Sequence, residues 1–361
     1  MKKLIAMLLA LTMVLSLAAC GAKTETPATE APATEAPATE APATEAPAAE
    51  AEPAVEPATL NIAYMPNWGA LWAVATGIEK GYFAEEGLEL NLVQFDAGPA
   101  EIAAMEQGSI DIAYIGKGAH KLCPNGTADI LLLQHMGDGD SIIGLNGITK
   151  LEELKGKKVG YAAGTSSESI LLAALESVGL TMDDIEAMNM NASNLTSAAM
   201  AGSIDAVAAW APMSLTILAQ VEGAVDICSN VDFPSMVTPG SWVVNPNWVK
   251  DHEDLAMRFV RAMYKAMDYA SASLTDDAIA EEVAGYISPI IVKDAGAVRE
   301  ERYTGTWMSS AQLKTMLEDG SLLKAYTDVH NGFVAAEAVA ADAPTPDTYV
   351  MVDLMLACFG E

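Results

Sequence analysis

Leu60-Asn-Ile-Ala-Tyr64-Met-Pro-Asn-Trp-Gly69-Ala-Leu-Trp-Ala-Val-Ala-Thr-Gly-Ile-Glu-Lys-Gly81 changes its hydrophobic period once, and that change decides the fold. Residues 60–64 form a short apolar run of strand length. The run breaks at Pro66-Asn67, and Leu71, Val74, Ala75 and Ile78 then recur at helical spacing until Gly81 stops them. A strand that turns directly into an amphipathic helix is the first half of a βαβ unit.

Working outward, the same alternation repeats. Residues 88–93 read as a strand and 99–107 as a helix closed by Gly108. Residues 110–115 make a third strand, ending in Gly116-Lys117-Gly118, and 130–133 a fourth. Strands separated by helices at this spacing imply right-handed crossovers and a largely parallel sheet. A second series starts after Gly144. It has strands over 158–162, 185–188, 205–210 and 224–228, with helices over 168–178 and 193–200 between them. Residues 241–244 read as a strand returning to the first series. The remainder is mainly helical, with Phe259, Ala262, Met263, Ala266, Met267 and Ala270 at helical spacing. The expected organisation is two α/β lobes: 59–143 plus 241–361, and 144–240. Such folds hold ligands in the crevice beyond the carboxyl ends of their strands.

The N-terminal region has another character. Lys2 and Lys3 precede an apolar run over 4–17, shorter than the about 20 residues a bilayer span needs. Residues 1–20 therefore read as an export signal. Its end, Leu17-Ala18-Ala19-Cys20-Gly21, resembles the lipobox of bacterial lipoproteins, which implies a lipid on Cys20. Residues 21–58 repeat Ala-Pro-Ala-Thr-Glu and bury almost nothing, so a disordered, extended linker is expected. The net charge of −30 disfavours nucleic-acid binding. Cys123, Cys228 and Cys358 lack metal-like spacing and are expected as buried free thiols, with one disulfide among them the alternative in an oxidising compartment.

Several motifs together resemble the sulfonate, nitrate, taurine and thiamine-precursor group of ABC-transporter solute-binding proteins. They are Met65-Pro-Asn-Trp68, Gly77-Ile-Glu-Lys-Gly-Tyr-Phe-Ala-Glu-Glu-Gly-Leu88 and Gly108-Ser-Ile-Asp-Ile-Ala-Tyr-Ile-Gly116. Leu154-Lys-Gly-Lys-Lys-Val-Gly160 with Gly164-Thr-Ser166, and Ile204-Asp-Ala-Val-Ala-Ala-Trp-Ala-Pro212, complete the set. The matches run over about residues 60–270 in the family's order. The resemblance implies a type II periplasmic-binding-protein-like α/β fold, with a ligand cleft between its two lobes. It also implies a monomer outside the cytoplasm that hands a small solute to an ABC permease and ATPase complex. The only membrane attachment expected is the Cys20 lipid, on the outer face of the cell membrane.

Candidate ligand residues follow from both arguments. Gly164, Thr165, Ser166 and Ser167 open a helix whose free N–H groups suit an anion, and the resembling family places this turn on a sulfonate or carboxylate. Glu168, in the same turn, would compete with an anion and suits an amine. Trp68, Trp210 and Trp242 fall at or near strand ends, where they could stack on a ring or hold a cation; Trp72 reads as core. Lys117 and His120 are the basic groups nearest the expected cleft, and Asn67 offers an amide. A sulfonate, taurine or nitrate-like anion leads over an amine-bearing or heteroaromatic solute such as a thiamine precursor. A sensory lipoprotein on the same fold is the alternative outside transport. No enzyme activity, cofactor or metal is expected, because the four histidines are dispersed and Gly116-Lys-Gly-Ala-His-Lys121 lacks the spacing of a phosphate-binding loop. Asp138-Gly-Asp140 reads as a plain loop.

Overall fold

The computed structural model describes residues 56–360 apart from 234, 235 and 237. The export signal, Cys20 and most of the linker expected over 21–58 lie outside the described residues. The chain runs through eleven strands among the described residues: β1 Ala58–Tyr64, β2 Leu88–Gln94, β3 Ile112–Ile115, β4 Asp129–Gly137, β5 Ser141–Gly144, β6 Lys158–Tyr161, β7 Glu186–Asn189, β8 Ala206–Ala209, β9 Val225–Ser229, β10 Pro239–Val244 and β11 Gly305–Trp307.

They form two sheets. The first has the order β11-β4-β10-β3-β1-β2 and the second β7-β6-β8-β5-β9. β1 runs parallel to β2 and β3, and β6 parallel to β7 and β8, as the crossovers demand. β10 is antiparallel to both β3 and β4, and β5 to β8 and β9, so each sheet is mixed where the chain crosses between lobes.

The crossing points correct the expected boundaries. Residues 141–143, expected in the first lobe, pair with Ala209, Ala208 and Val207 of the second sheet. Pro239 and Gly240, expected in the second lobe, pair with Met136 and His135 of β4. Ser141-Ile-Ile-Gly144 is buried throughout, and a strand covered on both faces reads the same in either sheet. β11 was not expected at all; three residues carry no period.

Local chemistry explains the first unit. Asn67 has extended dihedrals, and its side chain accepts the Ala70 N–H at 2.8 Å, capping the helix Trp68–Glu79. Gly81 follows that helix at φ 78°, a left-handed conformation that glycine adopts without strain. The second sheet is covered on both faces. Ala206 and Ala208 pack with Ile142, Val159 and Ile170, whereas Val207 and Ala209 pack with Ile143, Leu195 and Ile217. That is the two-residue alternation of a strand. In the first lobe the helix Glu253–Ala270 lays Phe259, Val260 and Met263 into the core beside Trp242.

Asn230 ties the two crossing segments together. Its backbone N–H donates to the Asp140 carbonyl at 2.9 Å, its Nδ2 to the Gly137 carbonyl at 3.0 Å, and its Oδ1 accepts the Asp140 N–H at 3.2 Å. Gly137 in turn donates to the Thr238 carbonyl at 2.7 Å. Among the described residues no helix is long and apolar enough to cross a membrane.

Candidate functional site

The lobes meet around a cavity with an empty volume of about 720 Å³, its open mouth included. Its walls are the chain segments that leave the strands. Asn67 and Gly69 follow β1, Lys117 follows β3, and Gly164 to Ser166 follow β6. Trp210 follows β8, and Asp140 lies between β4 and β5. This is the crevice that α/β topology predicts.

The lobes touch across it. A Cβ on Gly118 would lie 2.1 Å from the Thr165 carbonyl carbon, and one on Gly139 2.7 Å from the Ala211 Cβ. The Ser166 hydroxyl donates to Asp140 Oδ1 at 2.7 Å, and Lys121 Nζ lies 2.9 Å from Glu168 Oε2. The cleft is shut.

Its electrostatics are mixed. Burial lowers the Lys117 ammonium to about 8, although the nearby Asp140 carboxylate pulls it back up. Burial raises Asp140 to about 6 against the Ser166 hydrogen bond and Lys117, which favour its charge. Asp140 Oδ2 is buried with no hydrogen-bond partner. Glu301, raised by burial, is held by Lys293 at 2.5 Å and accepts the Trp68 N–H at 2.8 Å, so it occupies the start of the helix Trp68–Glu79. His135 is pushed by burial down to about 3, so the ring is neutral; its Nε2 faces the Tyr114 hydroxyl at 3.4 Å, and its Nδ1 has no partner. Trp307 packs on the His135 ring with centroids 4.7 Å apart. Neutral polar groups, His135 and Tyr114 among them, and several rings thus share the cavity with the Lys117 ammonium and the carboxylates of Asp140 and Glu301.

Six of the residues singled out from the sequence line this cavity: Asn67, Lys117, Gly164, Thr165, Ser166 and Trp210. Five do not. Trp68 is fully buried, tilted against Trp307, and reaches the site only through its backbone N–H. Trp242 is fully buried between Tyr114 and Phe259, with its indole N–H on Gln134 at 3.1 Å. His120 is enclosed between the Gly116 and Lys117 carbonyls and the Ser241 hydroxyl, and burial lowers it to about 4. Ser167 donates to the Ala208 carbonyl and accepts the Ala162 N–H, which binds the helix Ser166–Ser177 to its own sheet. Glu168 faces Lys121 and the Gly164 N–H.

Sequence reasoning missed Tyr114, His135, Asp140, Glu301 and Trp307. Asp140 had one available signal, a carboxylate wedged between two apolar strands. Glu301 and Trp307 had none, since they reach the cleft from the far end of the chain. Cys123 and Cys358 are buried and Cys228 half-buried, all three as free thiols. No group of three or more metal-type side chains occurs among the described residues.

Two α/β lobes around a polar cavity at their strand ends are the architecture of periplasmic solute-binding proteins. The chain belongs to the NMT1/THI5-like family, whose model matches residues 71–273. It is 28% identical over 264 residues to a putative binding protein of Brucella abortus, covering 73% of this chain and 81% of that one. It is 27% identical over 209 residues to a putative aliphatic sulfonates-binding protein of Bacillus subtilis, covering 55% and 62%. Its fold matches the periplasmic aliphatic sulphonate binding protein of Escherichia coli with a TM-score of 0.62 at 18% identity, over 83% of this chain and 99% of that one. The desulfurization enzyme DSZB shares the fold too, with a TM-score of 0.58 at 16% identity over 84% and 99%. Both sequence relatives are putative binding proteins, and the fold alone also accommodates catalysis.

Proposed function

We propose that this chain is the extracytoplasmic solute-binding component of an ABC importer, anchored through a lipid on Cys20, and that it delivers a small organic solute to its permease. The solute carries an acidic group, held by Lys117 and the backbone N–H groups of Thr165 and Ser166, whose hydroxyls already donate to the Ala162 carbonyl and to Asp140, and an amino group directed at Asp140; taurine is the simplest example. One observation carries this reading. Lys117 and Asp140 are buried in the same cavity, each pushed toward neutrality by desolvation, and Asp140 Oδ2 has no partner. Each already feels the other's charge across the cavity, and a zwitterion adds a second opposite charge to each, offsetting more of the desolvation. The resemblance to sulfonate-binding relatives points the same way.

A second reading rests on Trp210, Tyr114 and Trp307, whose rings also line the cavity and suit a flat heteroaromatic amine such as a thiamine precursor. A thermal-shift panel of taurine, ethanesulfonate, nitrate and an aminopyrimidine separates them, because a ligand that binds only the folded state raises its melting temperature. Taurine is expected to raise it most. A shift with the aminopyrimidine alone would move the assignment to the second reading. No shift with any small solute, together with binding of a protein partner, would sink the transport role.

A further inference from the structure

Glu168, a candidate ligand residue from the sequence, does not line the cavity; it bridges the lobes. Lys121 belongs to the turn Lys117–Asn125 after β3 in the first lobe, and Glu168 to the first turn of the helix Ser166–Ser177 in the second. Their charged atoms lie 2.9 Å apart, and both side chains line a separate hollow between that helix and the helix Ser321–Ala335. The same Glu168 oxygen accepts the Gly164 N–H at 2.9 Å. The carboxylate is therefore fixed within its own lobe whatever the cleft does, and parting the lobes removes only Lys121. Three residues before Lys121, the bare Cα of Gly118 admits the backbone of Thr165, where a side chain would collide at 2.1 Å.

We propose that Lys121 and Glu168, seated by the Gly118–Thr165 contact, form a clasp that holds the cleft shut, and so act as positioning residues that set solute affinity without touching the solute. The proposal rests on the capture of a solute between the lobes. A contact that exists only in the shut state shifts the equilibrium toward that state. The side chains are 23% and 25% exposed, so the clasp is solvated enough to break readily and to weaken with salt. A partly exposed ion pair biases closure by about five-fold at most. That bias suits a trap that must reopen at its permease, where a fully buried pair would be costly to part.

The test uses the full chain as wild type, Lys121→Arg and Lys121→Glu, with two measurements. The first needs no solute: amide hydrogen exchange at residues 117–121 and 165–167, with the helix Glu253–Ala270 as internal reference. The second is calorimetric affinity for taurine at about 0.02 M and about 0.5 M salt, on either side of strong screening. Lys121→Glu, which sets two carboxylates against each other, is expected to speed exchange at both interlobe segments and to weaken taurine, each by about five-fold. Lys121→Arg should match wild type, and high salt should bring wild type toward Lys121→Glu. Equal exchange and affinity in wild type and Lys121→Glu would overturn the clasp. So would faster exchange spread equally over the reference helix, since that reports loss of global stability. If wild type does not bind taurine, the solute assignment fails, and the exchange comparison still decides the clasp.

Discussion

The Ser166 hydroxyl donates to Asp140 Oδ1 at 2.7 Å, joining the start of a second-lobe helix to the segment where the chain first crosses between lobes. Asp140 thereby occupies the positive end of the helix Ser166–Ser177 with a carboxylate of the protein's own. An anionic solute at that turn must share the space with Asp140, which is why an amino group on the same solute is chemically useful there. The helix Trp68–Glu79 has the same arrangement, with Glu301 on its first N–H.

Replacing Asp140 by asparagine tests how costly that carboxylate is. Its value is raised from 3.8 to about 6 by burial, so between these values the folded state binds more protons than the unfolded one. Its contribution to stability is fully present below pH 3.8 and is lost as pH rises through about 6. The asparagine keeps an oxygen for Ser166 and cannot ionise. Asp140→Asn should therefore be more stable than wild type at pH 7.5, by up to about 3 kcal/mol, and equal to it near pH 4. Melting curves in the absence of solute, taken across that range, check the crossover; a constant difference at every pH would rule it out.

Affinity for taurine should follow a bell in pH. On the acid side it falls as Asp140 takes up a proton near about 6, and the amino group loses its partner. On the alkaline side it falls as Lys117 loses its proton near about 8, and the acidic group loses its counter-charge. Binding favours both charged forms, so the limbs of the bound complex lie outside these values. Lys117→Met should move the alkaline fall from about 8 to the higher pH at which the solute's own ammonium deprotonates, and Asp140→Asn should flatten the acid limb. Calorimetric titrations at half-unit steps of pH would show it, and a limb left unmoved by its own substitution would clear that residue.

Gly118→Ala should hold the cleft ajar. The new Cβ meets the Thr165 backbone, which cannot rotate away as a flexible side chain would. In the shut state that is overpacking, at about 1–3 kcal/mol, so affinity for taurine should fall by about ten-fold or more. Parting the lobes relieves the collision, so the melting temperature without solute should fall by no more than the small cost of opening them. A variant that melts several degrees lower would instead place the Gly118 contact within the folding core.

How far the sequence could be read depends on which interactions are local. The strand, cap and helix of residues 58–81 were legible because Asn67 satisfies its own helix and Gly81 stops it within a few residues. Lys117 and the turn Gly164–Ser166 were legible for the same reason: they lie directly after strands, where the topology must open a crevice. Tyr114 and His135 were not. The continuous apolar runs of β3 and β4 say that they are buried, but not that one end of the sheet is hollow. Glu301 and Trp307 enter through packing between segments more than 150 residues apart, for which no local pattern exists.

Trp242 shows the same limit from the other side, and with Trp210 it makes the sharpest paired test. Both are tryptophans of apolar strands or their ends, and the sequence could not tell which faced the cavity. The deciding contact is the Trp242 indole N–H on Gln134, whose amide in turn donates to the Gly69 carbonyl at 2.6 Å. That chain of bonds turns Trp242 into the core, where it is fully buried, while Trp210 is half-buried and lines the cavity. Trp242→Ala should therefore lose about 3–5 kcal/mol of stability, since a large cavity is left among Tyr114 and Phe259 and Gln134 loses its donor. Trp210→Ala should leave the melting temperature nearly unchanged and weaken solute binding by at least about ten-fold, the loss of one ring face worth about 1.4 kcal/mol. Denaturant midpoints and taurine titrations on the two variants separate the roles. If Trp210→Ala destabilised the fold and kept full affinity, Trp210 would belong to the core and the aromatic wall of the cleft would have to be reassigned to Trp307 and Tyr114.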